Sequence, residues 1–178
     1  HLAANGRAFL RNTTLSSTGR YVYGININSD NATVELENVS ISATGTIGGT
    51  GVWLPALGTS LKAKNFSIHT SDIGIDNRAG QVTLEDGSIT TQNTNGYALY
   101  VSREFGSSAT VKTKNVQIET FGHSGVGALT RASGAEIHLE DSSITTHGEN
   151  AYGLFASGFN SKLTTRNTSI TTEGETAH

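Results

Sequence analysis

The 178-residue sequence contains no cysteine, no methionine and a single proline, Pro55. Without thiols, disulfide frameworks, thiolate metal centres and cysteine nucleophiles are excluded together. Basic charge is also short: 12 Lys and Arg stand against 15 Asp and Glu, for a net charge of -3. No positive field of the kind that concentrates nucleic acid or anionic lipid is expected. No apolar run reaches the length of a membrane-spanning helix, and His1-Leu2-Ala3-Ala4-Asn5 lacks the charged and apolar regions of a signal peptide. What is plentiful is glycine, at 21 residues, with Ser, Thr and Asn. That composition disfavours long helices and favours short strands joined by tight turns, so an all-β chain is expected.

An internal repeat organises the chain. One template covers Ala8 to Gly19, Val34 to Gly45, Leu61 to Asp72, Val82 to Asn93, Val111 to Gly122, Ile137 to Gly148 and Leu163 to Gly174. It opens on two apolar or small positions two apart, such as Val34/Leu36 and Ile137/Leu139, the spacing of one strand face. A fixed polar residue follows: Asn12, Asn38, Asn65, Asp86, Asn115, Asp141 and Asn167. Asn and Asp tolerate a left-handed backbone, so this position predicts a sharp bend. Three residues later an aliphatic anchor returns, as Leu15, Ile41, Ile68, Ile89, Ile118, Ile144 and Ile170. A small residue sits two further on, mostly Thr, whose stacked hydroxyls can bond along the ladder while their methyls pack. A second turn position, Gly19, Gly45, Asp72, Asn93, Gly122, Gly148 and Gly174, closes the template.

A third strand completes most copies, as in Tyr23-Gly24-Ile25-Asn26-Ile27, Tyr97-Ala98-Leu99-Tyr100-Val101 and Tyr152-Gly153-Leu154-Phe155-Ala156. Simple alternation places the Gly or Ala outward, between inward neighbours. Three short strands in roughly 26 residues bury nothing alone but bury a continuous core when stacked. The prediction is a right-handed parallel β-helix of about seven coils with three short strands per coil, forming one segment over 1–178.

Catalytic and metal-binding patterns are sparse. Asp72 and Asp76 are close in sequence, but Asp72 occupies a turn position, and Glu136, Glu140 and Asp141 belong to another coil. His69, His123, His138 and His147 fall at no metal-ligand spacing, and no Gly-x-Ser-x-Gly elbow is present. No metal, no cofactor and no enzymatic activity are expected. Of the five Asn-x-Ser/Thr sequons, at Asn12, Asn31, Asn38, Asn65 and Asn167, all but Asn31 use the turn Asn, so the bend accounts for them.

The predicted binding feature is outward. With Ile25, Val52, Leu99 and Leu154 inward, Trp53, Tyr100 and Phe155 should share one external column with Asn26 and Leu129. Beside them Arg103, Glu104 and Phe105 tip the longest loop. Exposed aromatics in a row mark a contact surface.

The alternation Ile144-Thr145-Thr146-His147-Gly148, with Ala-Tyr-Gly-Leu-Phe-Ala at 151–156 and Tyr-Ala-Leu-Tyr-Val at 97–101, resembles autotransporter passenger domains of the pertactin-like type over nearly the whole chain. That resemblance implies a piece of a longer passenger exported across both membranes of a Gram-negative bacterium, secreted or held at the cell surface. It also implies an adhesin, an autoaggregation factor or a receptor-directed virulence factor. The expected partners are a host cell-surface receptor, a matrix protein or a second copy, with no nucleic acid and no membrane insertion of this segment. The rival readings are a carbohydrate-active enzyme on the same scaffold, which would need carboxylates converging in a groove, and a passive stalk for a functional head.

Overall fold

In a computed structural model, which describes residues 3–102 and 108–178, every regular element is a β-strand and every strand pairing is parallel. The fold is a parallel β-helix. The first arms of successive coils are the start of β1 (Arg7–Asn26), the start of β2 (Thr33–Leu54), and those of β3 (Ser60–Thr70), β5 (Gln81–Thr91) and β7 (Thr110–Thr120). β9 (Glu136–Glu140) and β12 (Lys162–Arg166) continue that sheet. The second arms run on from the same strands and continue in β10 (Ser143–Thr146) and β13 (Ser169–Thr172). The third sheet comprises the ends of β1 and β2, then β4 (Ile73–Asn77), β6 (Tyr97–Val101), β8 (Val126–Thr130) and β11 (Tyr152–Ala156).

The bend between the first and second arms lies where predicted. All seven template Asx residues have φ between 47° and 55°. Only a residue that tolerates the left-handed region without a large Cβ penalty can hold that corner. Their side chains also stack: Asn38 Nδ2 donates to Asn12 Oδ1 at 3.0 Å, Asn115 Nδ2 to Asp86 Oδ1 at 2.9 Å, and Asn167 Nδ2 to Asp141 Oδ1 at 3.1 Å. The corner residue thus links neighbouring coils as well as turning the chain.

The anchor aliphatics form one continuous inner column, Leu15–Ile41–Ile68–Ile89–Ile118–Ile144–Ile170, in unbroken register. From Ile41 to Ile144 they are fully buried, each contributing about 1.5–3 kcal/mol before ordering entropy is subtracted. In the outermost coils the column is covered from one side only, so Leu15 is partly buried and Ile170 is exposed.

Three expectations need correction. The stack makes about six turns, not seven, because among the described residues six copies have a third strand and the seventh has only β12 and β13. The Gly/Ala position of the third strand points inward, not outward. A Cβ at Gly74 would lie 2.4 Å from Ile89 Cγ2, and one at Gly127 2.3 Å from Ile144 Cγ2. The strand bends there, so two successive residues face the core and the alternation resets. The Thr column is buried as expected, but Thr70, Thr91, Thr120 and Thr146 hydroxyls have no hydrogen-bond partner. Coil spacing of about 4.8 Å holds like hydroxyls too far apart to bond along the ladder. The column works through its methyls, as Ala43 does at the same position.

Candidate functional site

The inward bend at the Gly/Ala position determines the outer surface of the third sheet. Because two adjacent residues face in, the residues on either side, three apart, both face out. One outer column is therefore Tyr23–Thr50–Ile73–Tyr97–Val126–Tyr152. The next is Asn26–Trp53–Asp76–Tyr100–Leu129–Phe155. The structure thus places Trp53, Tyr100 and Phe155 in the single external column expected of them. Arg103, Glu104 and Phe105 lie outside the described residues.

Tyr23, Tyr97 and Tyr152 belong to this surface and were missed by simple alternation, which put them inside. Their identity carried a signal: four of the six residues in that column are Tyr or Thr, and a phenol or hydroxyl sits more readily at a wet surface than in an aliphatic core.

The aromatic side chains pair along this face. Tyr23 stacks on Trp53 with ring centroids 5.0 Å apart, and Tyr97 on Tyr100 at 5.6 Å. Tyr152 packs against Phe155 at 5.2 Å. Such pairs contribute about 0.5–1.5 kcal/mol each beyond area burial, which helps hold the rings in place.

Asp76 interrupts the aromatic column between Trp53 and Tyr100. It is 3 % exposed, and Arg78 grips its carboxylate with two bonds, Nε to Oδ1 at 3.1 Å and Nη2 to Oδ2 at 3.1 Å. The same guanidinium lies 5.8 Å from the Trp53 ring centroid. Arg78 and Tyr23 therefore both pack against Trp53. Asp72 stands apart, at the second corner of its coil beside Gly48. Burial raises its pKa from the ordinary aspartate value.

A groove of about 330 Å³ opens on this face, lined by Tyr97, Ser124, Val126, Leu129, Arg131, Tyr152, Phe155 and Ser157. Its floor is the coil bearing Val126 and Leu129, both buried. Its walls are the aromatic residues of the coils before and after. Arg131 and Ser157 add polar groups at one edge, and Ser124 at the other. An apolar floor, aromatic walls and a few polar groups at the rim form the anatomy of a contact site.

Among the described residues, no three of His, Asp and Glu come together as a metal site. Acidic side chains do line a second groove, of about 520 Å³, on the first sheet, where Glu35, Glu37 and Glu85 alternate with Lys62 and Lys64. Each acid there has a cation on a neighbouring coil. No family model, no curated protein and no solved structure matches this chain.

Proposed function

We propose that this chain is a β-helical segment of an exported bacterial surface or secreted protein, of the autotransporter passenger type it resembles. It acts by contact, not catalysis. The observation that carries this reading is the aromatic groove on the third sheet. Tyr97, Tyr152 and Phe155 rise on both sides of a buried aliphatic rung, on a scaffold whose inner columns leave the backbone little freedom.

The partner is a host cell-surface receptor or matrix protein presenting an apolar side chain to the groove and a carboxylate or carbonyl to Arg131. Tyr in the walls and Arg at the rim of a small, partly desolvated depression are among the residue types that dominate binding energy at protein interfaces. The stacked rings are already ordered, so little side-chain freedom is lost on contact.

The test is binding of the chain to immobilised fibronectin, laminin and collagen and to intact epithelial cells, repeated with Tyr97→Ala, Tyr152→Ala and Phe155→Ala combined. The outer position of all three predicts an unchanged circular dichroism spectrum. Affinity for the bound probe should fall at least about tenfold, the scale of losing one or more interface anchors. Equal binding by the folded triple variant, or no binding to any of these probes, would count against the reading.

A further inference from the structure

The outer face of the first sheet carries a pattern absent from the repeat template. In register, one column reads Arg11–Glu37–Lys64–Glu85–Lys114–Glu140–Arg166, strictly alternating in sign from coil to coil. Flanking residues reinforce their own rungs: Arg7 joins Arg11, Glu35 joins Glu37, and Lys62 joins Lys64. Further along, Lys112 joins Lys114, Glu136 joins Glu140, and Lys162 joins Arg166. The cations Arg11, Lys64, Lys114 and Arg166 are exposed and the intervening acids partly so. Within the chain Arg11 Nε contacts Glu37 Oε2 at 2.7 Å, and Arg166 pairs with Glu140.

Such a ladder cannot be read from afar. With coils about 4.8 Å apart the sign repeats every 9.6 Å or so, and the field of such a row decays over about 1.5 Å. Only a surface in contact, with charges at the same spacing, can recognise it. A second parallel β-stack has that spacing by construction.

We propose that this face is a contact between two copies of the chain, related by a two-fold axis, with their stacks antiparallel and staggered by one coil. The stagger follows from the signs. Two-fold pairing of parallel stacks would set every rung on its own copy, like on like. Antiparallel pairing in full overlap puts the first rung of the sheet opposite the seventh, again like on like.

Shifted by one coil, the first rung faces the sixth, the second the fifth and the third the fourth, and every facing pair is opposite in sign. In this arrangement Lys64 meets the other copy's Glu85, and Lys112 its Glu35. The stagger towards the other end satisfies the charges too, but it leaves Phe9, 51 % exposed on the first coil, outside the overlap. The chosen stagger sets Phe9 against the other copy's His138.

The overlap is about five residues wide and six coils high, roughly 470 Å² per copy, against the 800 Å² or so of a standard interface. The pairing is therefore weak, reversible and salt-sensitive. It uses a different face from the aromatic groove and stands or falls independently of the function proposed for that groove.

Analytical ultracentrifugation tests it. Wild-type chain should self-associate at low ionic strength and revert to monomer in high salt, where charges beyond about 3 Å are screened. Lys64→Glu and Glu85→Lys should each weaken association about fivefold or more, while an equimolar mixture of the two restores it, because each altered charge then meets its complement.

Lys112→Glu has only Thr83 and His138 as neighbours in its own column, so it should weaken pairing without disturbing the fold. A wild-type chain that stays monomeric at low salt would overturn the proposal. Association that survives Lys112→Glu, or a mixture no better than either variant alone, would do the same.

Discussion

The first and third sheets present outer faces of opposite character on the same repeating backbone. The first alternates charge from coil to coil and holds little apolar surface, apart from Phe9. The third carries aromatic rings on its first two coils, alternates aliphatic and aromatic coils from Ile73 to Phe155, and has its most deeply buried charge, Asp76, already neutralised by Arg78. Inner columns are nearly invariant because every coil must fit the next in a closed core, whereas an outer position meets its neighbours on one side and solvent on the other, so many pairings satisfy it. Variation on the outside is therefore free to carry recognition. As proposed, it serves two kinds: short-range electrostatic matching on one face and apolar anchoring on the other.

The sharpest way to break the comparison is to deform one face from inside. In Gly127→Val the added side chain meets Ile144 Cγ2 at 2.3 Å and the Gly153 carbonyl at 2.7 Å, so β8 and β11 must move apart. Stability in a denaturant titration should fall by about 1–3 kcal/mol, the usual cost of overpacking. Amide exchange should quicken along β8 and β11 while β7 and β9 remain protected. Uniform loosening of all four strands would show that the two faces do not vary independently.

A second substitution should leave both faces alone. Thr120→Val replaces a buried, unpartnered hydroxyl with a methyl of the same shape, and should raise stability by about 1 kcal/mol in the same titration. A loss of stability would mean that the hydroxyl column is hydrogen-bonded after all. This contrasts with the anchor column beside it, where Ile89→Ala should cost about 2–5 kcal/mol.

The smallest effect lies at a corner between the faces. Desolvation raises the pKa of Asp72, so its folded form holds a proton more tightly than the unfolded chain does. The associated stability is present in acid and lost as pH rises through the folded pKa. Asp72→Asn, which copies Asn93 at the same position one coil on, should therefore melt higher than wild type near neutral pH. The difference should close as pH falls below the ordinary carboxylate range. A gap that persists in acid would assign the effect to something other than charge burial.

The repeat made the architecture legible because corner and core positions are chemically constrained. A left-handed corner accepts few residues, and seven Asx at one template position leave few alternatives. The third strand was harder to read. Its bend at Gly24, Gly51, Gly74, Ala98, Gly127 and Gly153 breaks the alternation, which hid Tyr23, Tyr97 and Tyr152 from the expected surface while leaving Trp53, Tyr100 and Phe155 correctly placed. The charge ladder escaped notice for another reason. Net charge sums over the chain, and a column that alternates in sign sums nearly to nothing until coil register brings Glu37 beside Arg11 and Lys64.

The separation of the two faces is the central claim, and one binding experiment tests it directly. The matrix probe that captures wild type is offered in parallel to the Tyr97/Tyr152/Phe155 triple alanine variant and to Lys112→Glu, at low salt and at about 0.5 M, where surface charges are largely screened. The account predicts that the triple variant loses the probe at both salt concentrations and that Lys112→Glu retains it at both. Loss of the probe by Lys112→Glu alone would contradict it.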